Sequence, residues 1–539
     1  MTSVCDVIHA ACRSHGERIA LQTLKGAGSL ADGYRTIETV TYAELYDRTL
    51  RFGDALGRRF GLRPGDRVAV LLDNSPEMVV SEWACLFGGY PWVALNARAS
   101  AHEHELLLAD STPSVLLVGS KYENAIGEIA LPAGCRVVGV DSSAGAGGQW
   151  QRLLHEAEPG PPARGPGPED PVRIRYTSGT AGVPKGAVLP RRCYDASFAA
   201  VSDLIGPLEG DDVLAQVAPM THAAGAMWLP HAAVGARALL VEHFNERAFI
   251  ELVERERVTA AFLVPTMLVR LIEALQEMEP GQARRRLRSL RTVVYGGAPM
   301  PVDRLRKGLE LLGPVFVQIY GLTESNWPAT ALRREDHIVA GGEDELCRRL
   351  ASCGRPTAVG QLRIVDEDGR DLPPGEVGQI LVKGANTMSG YWGKTGVCGD
   401  EAGKGLDIEG WMHTGDLAVR DEQGFVTIVD RLHDMIITGG FNVYPREVEN
   451  ALSSHPAVLE AAVAGRPSAQ WGEIVHAAVV LRAGASASEE ELASHVAQRT
   501  APYKKPRSFE FVRELPRNAA GKVLRRLLRE GKQTTKPPA

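Results

Sequence analysis

Short apolar runs rich in valine, leucine and isoleucine recur along this chain between segments with the apolar periodicity of helices. Five such runs occupy residues 66–74, 114–120, 135–141, 291–297 and 314–321. They do not show the regular polar–apolar alternation of a strand with one face in water, so each is expected to be buried on both faces. Together with helices such as the one indicated at 248–258, these runs predict an α/β fold with parallel or mixed sheets.

A chain of 539 residues is too long for one compact core, and this sequence changes character along its length. From about residue 361, polar and apolar residues alternate around D-G and P-G turns, which predicts antiparallel hairpins. From about residue 431, strand and helix patterns mix again within roughly 100 residues, as in a small α+β domain. We therefore predict a large N-terminal domain at 1–430, with a small β-subdomain at about 361–430, followed by a C-terminal domain at 431–539.

Residues 142–171 differ from the rest of the predicted N-terminal domain. They are rich in glycine, proline and alanine and contain few β-branched residues. This composition predicts a partly flexible excursion over the surface.

The charge of the chain argues against polyanionic partners. Sixty Lys and Arg residues against 66 Asp and Glu residues give a net charge of -6 at pH 7. Such a chain has no overall attraction to nucleic acid or to an anionic membrane surface. The most apolar span, residues 79–95, contains Glu82 and is interrupted by Gly88, Gly89 and Pro91, so we expect it to be buried core and predict no membrane span.

The cysteines and the N-terminus favour a cytoplasmic location. Eight cysteines are scattered along the chain without a C-x-x-C pair. This spacing suits reduced thiols better than a disulfide framework or a zinc site. The first twenty residues lack an apolar run followed by a small-residue cleavage site, so no export is predicted.

The stretch RIRYTSGTAGVPKGAV at 173–188 joins a strand-like start to a turn rich in glycine and hydroxyl residues. Gly179 and Gly182 remove side chains that would keep backbone N–H groups away from an anion. Ser178 and Thr180 add hydroxyl donors, and Lys185 adds a positive charge. The stretch has the chemistry of a phosphate site, but it is not a G-x-x-x-x-G-K-[ST] loop, because Gly186 follows the lysine.

The segment YTSGTAGVPKG resembles the phosphate-binding loop of the adenylate-forming superfamily, which includes acyl-CoA synthetases, peptide-synthetase adenylation domains and luciferases. Further segments resemble motifs of this superfamily in the same order along the chain: YGGAPM (295–300), YGLTES (320–325), HTGDL (413–417), DRLHDMIITGGFNVYPREVE (430–449) and LPRNAAGKVLRR (515–526). Each match is short, and their order along the chain makes the joint resemblance specific. The overall texture is most similar to fatty acyl-CoA ligases.

The resemblance implies roles for particular residues. It assigns nucleotide binding to Thr177, Ser178, Gly179, Thr180, Gly182, Lys185, Gly297, Ala298, Pro299, Tyr320, Gly321, Asp416 and Arg431. It assigns catalysis to Lys522, Thr323, Glu324 and His222, with Glu324 also holding Mg²⁺. These assignments make chemical sense, because a carboxylate oxygen prefers Mg²⁺, two carboxylate oxygens suit the two ribose hydroxyls, and an ammonium group stabilises charge that develops during adenylation.

The superfamily uses one site for two half reactions, and its small C-terminal domain rotates about a hinge between them. The resemblance therefore implies that the C-terminal domain is mobile, with its hinge at His433. It further assigns the coenzyme A face to Gly439, Gly440 and Phe441, and the acyl pocket to His222, Gly296, Leu322 and Trp327.

Two positions depart from the family pattern. His433 stands where relatives usually have lysine or aspartate. The predicted hinge therefore contains a side chain whose charge can change near neutral pH. Ala181 stands where a hydroxyl residue is common, which removes one donor to pyrophosphate. Both departures are also compatible with tolerated substitutions.

The sequence thus predicts an ATP-dependent, AMP-forming acid–thiol ligase that uses ATP, Mg²⁺ and coenzyme A on a medium- or long-chain fatty acid or another bulky hydrophobic acid. Alternatives are an enzyme that mainly thiolates a preformed acyl adenylate, a ligase that loads a carrier protein, a luciferase-like oxygenase, and a nucleotide-binding protein without catalysis. The sequence also leaves open whether the chain forms a homodimer.

Overall fold

The computed structural model describes most of the chain. The described residues are 2–26, 34–140, 148–160, 165–177, 185–339, 341–393, 398–399, 405–468, 470–517 and 523–531. The predicted phosphate-loop residues Ser178, Gly179, Thr180 and Gly182 lie outside them, as do Ala181 and Lys522, so their roles stay predictions.

The described residues form helices in both halves of the chain. The α-helices are α1 (Val4–Ser14), α2 (Tyr42–Asp54), α3 (Pro76–Gly88), α4 (Ala101–Ser111), α5 (Glu123–Gly127), α6 (Gln149–Glu156), α7 (Arg191–Ile205), α8 (Trp228–Ala233), α9 (Glu246–Glu256), α10 (Pro265–Gln276), α11 (Gln282–Arg286), α12 (Val302–Leu312), α13 (Glu343–Ala351), α14 (Pro445–Ser453), α15 (Glu489–Ala497) and α16 (Arg525–Glu530). Several begin at capping residues encoded locally. At the start of α2, for example, Thr41 accepts a hydrogen bond from the backbone N–H of Glu44, and the Glu44 carboxylate accepts one in return.

The strands also run through the whole described chain. They are β1 (Ile19–Gly26), β2 (Tyr34–Thr41), β3 (Val68–Leu71), β4 (Trp92–Ala94), β5 (Val115–Val118), β6 (Arg136–Gly139), β7 (Pro171–Thr177), β8 (Lys185–Pro190), β9 (Val213–Gln216), β10 (Arg237–Val241), β11 (Ala260–Leu263), β12 (Thr292–Gly296), β13 (Phe316–Tyr320), β14 (Thr330–Leu332), β15 (Arg355–Pro356), β16 (Gly360–Val365), β17 (Val377–Gly384), β18 (Gly390–Tyr391), β19 (Cys398–Gly399), β20 (Gly405–Leu406), β21 (Met412–Arg420), β22 (Val426–Arg431), β23 (Ile436–Thr438), β24 (Phe441–Val443), β25 (Val458–Ser468), β26 (Gly472–Leu481) and β27 (Ser508–Phe511).

Two sheets organise the N-terminal part of the chain. The first has nine strands in the order β15-β14-β13-β12-β11-β9-β10-β1-β2, and its interior pairs from β13 to β1 are parallel. The second has seven strands in the order β18-β8-β7-β4-β3-β5-β6, with antiparallel pairs only at the β18-β8-β7 end. Parallel interior strands with antiparallel edges give a mixed α/β architecture, which confirms the predicted fold class.

Four of the five apolar runs of the sequence contain interior strands of these sheets, namely β3, β5, β12 and β13, and the run at 135–141 contains the edge strand β6. All residues of β5 and of β12 are buried, as expected for strands covered on both faces. A single buried cluster includes Leu214 of the first sheet and Val70 of the second, so both sheets contribute to one core. Burial on both faces therefore accounts for four of the five runs. The expectation is wrong for the run at 135–141, because β6 lies at the edge of its sheet and Val138 is the one fully buried residue of that strand.

The C-terminal part contains two further sheets. A six-stranded sheet has the order β16-β17-β21-β20-β19, with β22 also paired to β21. A five-stranded sheet has the order β24-β23-β26-β25, with β27 parallel to β26. Helices α14 and α15 cover the five-stranded sheet through a buried cluster that includes Leu452, Val463 and Leu492. This is the small α+β arrangement that the sequence predicts.

The chain divides into two compact units. The first consists of Met1–Leu362, Val382–Cys398 and Gly405–Met412, and the second of Arg363–Leu381, Gly399–Lys404 and His413–Ala539. The functional domain boundary between residues 430 and 431 stays a prediction.

The glycine- and proline-rich stretch at 142–171 contains a helix that its composition does not indicate. Helix α6 lies within it, and Trp150 is only 1% exposed. The indole ring lies against Phe52, with 4.7 Å between the ring centroids. The expectation of a mere surface excursion is wrong for this part, because three apolar side chains on one helical face have a core to enter.

Neither the described helices nor the described cysteines contradict the exclusions drawn from the sequence. Within the described part of the chain, no helix combines the length and the hydropathy needed to cross a membrane. Residues 79–95 contain most of α3 and all of β4, both largely buried. All seven cysteines with described side chains are free thiols.

Replacement of Trp150 by alanine should lower the free energy of unfolding by about 3–5 kcal/mol, because it removes a large buried side chain and leaves a cavity against Phe52. Denaturant unfolding measures this change. The exposed neighbour Gln151 on the same helix provides the control, and Gln151→Ala should change stability by less than about 0.5 kcal/mol. Equal, small effects of both substitutions would contradict the packing role of Trp150.

Candidate active site

The predicted phosphate loop is bounded by two paired strands. Thr177 ends β7, Lys185 begins β8, and the two residues are direct partners in the antiparallel register. The intervening residues 178–184 lie outside the described part. The strands therefore fix both ends of the predicted loop next to each other.

Lys185 belongs to a cluster that contains the predicted metal-binding carboxylate. Its ammonium nitrogen lies 5.6 Å from the ring centroid of Tyr391. The Tyr391 hydroxyl donates a hydrogen bond of 3.0 Å to Oε1 of Glu324, and the Glu324 side chain is 1% exposed. A buried carboxylate needs donors and nearby positive charge, and this cluster supplies both.

Tyr391 is a site residue that sequence reasoning missed. It reaches the cluster because β18 pairs with β8, which places Tyr391 opposite Ala187 and beside the strand that carries Lys185. Tyr391 follows Lys185 by about two hundred positions, so no local pattern indicates this contact. An aromatic pair after glycine in SGYWG is the only signal in the sequence, and it is weak.

The predicted adenine and catalytic segments lie side by side at one edge of the first sheet. Strands β12 and β13 are parallel, with Gly296 opposite Ile319, so their carboxyl ends meet at the same edge. Gly297, Ala298 and Pro299 are exposed just after β12. Ligands of open α/β sheets bind at this kind of edge, beyond the carboxyl ends of the strands.

The segment after β13 is held in a tight turn. Thr323–Ser325 forms a 3-10 turn, and the backbone N–H of Leu322 donates to Oγ of Ser325 at 3.0 Å. The backbone N–H of Ala329 returns to the carbonyl of Tyr320 at 2.8 Å. The turn buries Glu324 and leaves Thr323 half-buried.

Trp327 packs directly on the glycine of this turn. A Cβ atom on Gly321 would lie 2.7 Å from Cδ1 of Trp327, which is closer than atoms can approach without a shift. The absence of a side chain at Gly321 therefore positions the indole ring beside the predicted catalytic segment.

His222 stands on the loop after β9 and is exposed. Its Nδ1 lies 2.8 Å from the Thr221 hydroxyl. The Thr221 carbonyl accepts a hydrogen bond of 3.0 Å from Arg173, a buried residue of β7. The predicted acyl-pocket loop is thus tied to the strand that leads into the phosphate loop.

In the second unit, the structure brings together the two predicted ribose-binding residues. Asp416 of β21 is opposite Arg431 of β22, and Nε of Arg431 lies 3.5 Å from Oδ1 of Asp416. Asp416 is 7% exposed, and its backbone N–H donates to the Thr414 hydroxyl. One oxygen of the Asp416 carboxylate therefore lies near the guanidinium of Arg431, and a hydrogen bond fixes the backbone of Asp416.

The predicted hinge is held by arginines from the end of the chain. Arg529 donates a hydrogen bond of 2.9 Å to the carbonyl of His433. Arg525 forms ion pairs of 3.1 Å with Asp434 and 2.8 Å with Glu449. Both arginines belong to the described segment 523–531, so these contacts tie the predicted hinge to that segment.

The predicted coenzyme A face is an exposed turn. Gly439 and Gly440 join β23 to β24 and have φ angles of 57° and 81°. Phe441 is 56% exposed and stacks on Tyr503, with 4.7 Å between the ring centroids. An exposed aromatic pair beside a glycine turn leaves room for a ligand to approach.

The surroundings of His433 lower its pKa. Burial is the first cause and the charges of Arg431 and Arg529 add to it, whereas Asp434 and Asp416 act in the opposite direction. The described arrangement therefore favours the neutral imidazole. Its stabilising contribution is present above the ordinary pKa of 6.5 and is lost as the pH falls through the lowered folded-state value.

Comparisons with known proteins agree with this geometry. The family model of the AMP-binding enzyme matches residues 8–392, and that of the AMP-binding enzyme C-terminal domain matches residues 447–522. A feruloyl-CoA synthase of an Amycolatopsis species is 37% identical over 489 residues, which cover 90% of this chain and 92% of that protein. A fatty acid–[acyl-carrier-protein] ligase of Streptomyces coeruleorubidus is 34% identical, with 91% of each chain covered.

A solved structure extends the similarity to three dimensions. The o-succinylbenzoate coenzyme A synthetase of Bacillus subtilis, solved with ATP and a magnesium ion, has a TM-score of 0.80 and 31% identity to this chain. The comparison covers 97% of this chain and 98% of that one.

The fold and these matches define an AMP-forming acid–thiol ligase, a class whose reactions use ATP, Mg²⁺ and coenzyme A. The chain belongs to the family of AMP-binding enzymes, within the adenylate-forming superfamily.

If His433 acts in the hinge, the ratio of thiolation to adenylation rates should level off as the pH rises above the ordinary histidine pKa of 6.5 and should change as the pH falls below it, because the lowered pKa keeps the imidazole neutral in the higher range. Separate assays of the two half reactions test this, over a range from roughly one pH unit below the ordinary histidine pKa to about 1.5 units above it. His433→Lys, charged throughout, and His433→Gln, neutral throughout, are the controls and should remove the pH dependence of the ratio. A wild-type ratio that follows both variants at every pH would contradict a role for this titration.

Proposed function

We propose that this chain converts a carboxylic acid and ATP into an acyl adenylate and pyrophosphate, and then converts the adenylate and coenzyme A into acyl-CoA and AMP. The observation that carries the proposal is the Lys185–Tyr391–Glu324 cluster, which lies at the base of the predicted phosphate loop. In the first step a carboxylate oxygen attacks the α-phosphorus and pyrophosphate leaves. In the second step the thiol attacks the acyl carbonyl, loses its proton and displaces AMP.

The first step brings an anion to a polyanion, so its charges must be masked. Lys185 and Thr323 are proposed to face the phosphates, and Lys522 the oxygen atoms between which the new bond forms. The described residues hold no group of three or more His, Cys, Asp or Glu side chains suited to a resident metal ion. A single buried carboxylate at Glu324 instead fits Mg²⁺ that arrives with ATP and keeps phosphate oxygens and waters as its other ligands.

The nucleoside part of ATP is proposed to contact two sets of residues. Gly297, Ala298, Pro299 and Tyr320 are assigned to the adenine and its surroundings, and Asp416 with Arg431 to the ribose. Two carboxylate oxygens can accept hydrogen bonds from two neighbouring hydroxyls, which supports the Asp416 assignment.

For the second step, the turn at Gly439 and Gly440 with Phe441 is the proposed face for the pantetheine arm. Rotation of the C-terminal domain about His433 would exchange this face for Lys522. The exposed Phe441–Tyr503 stack supports the proposal, because it offers an apolar surface at the turn.

The acid is proposed to be a medium- or long-chain fatty acid or another bulky hydrophobic acid. The similarity to a feruloyl-CoA synthase and to a fatty acid ligase supports both an aromatic and an aliphatic acid. The second of these relatives uses an acyl-carrier protein, so loading of a carrier protein is retained as the alternative to coenzyme A. The free thiols of the chain support a cytoplasmic location, and a homodimer is retained as a proposal.

Acid-dependent ATP–pyrophosphate exchange, measured without coenzyme A on fatty and aryl acids, tests the first step directly. We expect exchange with a subset of these acids, since adenylation is reversible and needs no thiol. Subsequent addition of coenzyme A or of a holo-carrier protein then identifies the acceptor. Folded protein that shows no exchange, yet forms thioesters from synthetic acyl adenylates, would favour the thiolation-only alternative.

Replacement of Lys522 by alanine should slow adenylation by about 100-fold or more, as expected when a transition-state donor is removed. Thioester formation from a supplied acyl adenylate should be unchanged, because the lysine is assigned to the first step only. Lys505→Ala, at an exposed lysine of the same unit, is the matched control. Equal losses in both half reactions of Lys522→Ala would refute this assignment.

A further inference from the structure

Strand β7 carries two buried arginines on one face. Arg173 is 3% exposed and Arg175 is 8% exposed. Residues two apart in a strand point to the same side of the sheet, so the two guanidinium groups are neighbours. Two like charges next to each other in a protein interior require compensation from nearby groups.

Arg173 has that compensation. Its guanidinium lies 3.2 Å from Oε1 of Glu82 and donates to the Tyr194 hydroxyl at 2.8 Å and to the Thr221 carbonyl at 3.0 Å. It also lies 4.4 Å from the ring centroid of Trp92. One carboxylate, two neutral acceptors and an aromatic face account for the charge of Arg173.

The charge of Arg175 is compensated by far fewer groups. Its only hydrogen bond within the described residues is a donation of 3.1 Å to Oδ1 of Asn326, and it forms no ion pair there. The guanidinium also lies 4.5 Å from the ring centroid of Trp327. A guanidinium group has five N–H donors, so most of the donor capacity of Arg175 is unused. The cluster of Arg173, Arg175 and Glu82 therefore holds one excess positive charge.

The surroundings penalise this charge. Burial, followed by the neighbouring charge of Arg173, lowers the pKa of Arg175 to about 9. The acceptor on Asn326 is held in place, because the Asn326 amide donates to the carbonyl of Cys193 at 3.0 Å. A neutral amide and an indole ring do not neutralise a guanidinium, so this arrangement suits a ligand that brings a negative charge.

The two arginines of β7 contact the two segments assigned to the acyl pocket, Arg175 the one and Arg173 the other. Asn326 and Trp327 directly follow the turn at 320–325. On the other side, Arg173 holds Thr221, whose hydroxyl contacts His222. An anion on Arg175 would therefore lie beside Trp327, which the sequence assigns to the acyl pocket.

We propose that Arg175, positioned by Asn326 and Trp327, binds a second carboxylate at the far end of the acid. The substrate class is then a dicarboxylic acid with an apolar body, activated at the carboxylate next to Glu324 and Thr323. This inference rests on the proposed function, since it names the acid that the same site would adenylate.

The test compares acids that differ only at the far end: octanoate with octanedioate, and cinnamate with 4-carboxycinnamate. In ATP–pyrophosphate exchange the wild-type enzyme should prefer the diacid of each pair. Arg175→Met should lower kcat/KM for the diacids by about 10- to 150-fold, as expected from a lost hydrogen bond to a charged group. The values for octanoate and cinnamate should change by no more than about threefold under the same principle, because these acids do not reach the guanidinium.

Asn326→Asp supplies a second, independent variant. This substitution keeps Arg175 and places a carboxylate where the Asn326 amide accepts its hydrogen bond. The new carboxylate should neutralise Arg175 and so remove the preference for diacids, while the monoacids are still activated. Arg175→Lys retains the charge and should recover part of the diacid activity lost in Arg175→Met. Wild-type preference for the monoacids, or an equal loss for both members of each pair in Arg175→Met, would overturn the inference.

A thermal-shift measurement without ATP separates this inference from the proposed function. Octanedioate should raise the Tm of the wild-type enzyme and not that of Arg175→Met, whereas octanoate should affect both proteins alike. Arg175→Met is expected to fold, because it removes an uncompensated buried charge. Failure of exchange with every acid, accompanied by the diacid-specific shift, would refute the proposed function and leave the carboxylate site standing. An equal shift in both proteins would refute the site.

Discussion

A buried carboxylate held by a tyrosine hydroxyl is the constraint on which the N-terminal part of the predicted site depends. Glu324 is almost fully enclosed, so its charge requires the Tyr391 hydroxyl and nearby positive charge. Meeting that requirement brings three distant parts of the chain together: the turn after β13, the start of β8 and the short strand β18. Parallel strands then place the segment at 297–299 at the same edge. The arrangement has a fixed carboxylate, a lysine and exposed backbone within one compact unit.

The strand that leads into the phosphate loop also organises what lies beside it. Arg173 and Arg175 occupy one face of β7 and hold, respectively, the loop that contains His222 and the turn that contains Trp327. Buried charges are costly in a core, and apolar residues of similar volume would often serve stability as well. Protein partners account for the charge of Arg173, whereas the less compensated guanidinium of Arg175 is the group that we propose to recognise a ligand. Strand β7 thus contacts both segments that the sequence assigns to the acyl pocket.

The second unit has its own network of buried charges. Arg525 joins the hinge residue Asp434 to Glu449 of α14, and the Glu449 carboxylate accepts the backbone N–H of Val463 in β25. These contacts link the hinge, a helix and the central hairpin of the five-stranded sheet. The network therefore fixes the position of the predicted hinge residues relative to the core of this small sheet.

The sequence by itself determined the α/β class and the order of the motifs, because apolar runs and glycine-rich turns are local properties of the chain. It also indicated Glu324 and Asp416, whose neighbours in sequence resemble family motifs. Only the tertiary structure decided that Trp150 enters a core, that Tyr391 reaches Glu324, and that Arg175 lacks the carboxylate that Arg173 has. The physical reason is that burial and charge compensation depend on residues far apart in sequence: Phe52 for Trp150, Glu324 for Tyr391, and Asn326 for Arg175. Composition cannot reveal such pairs, since they exist only once the strands and helices have packed.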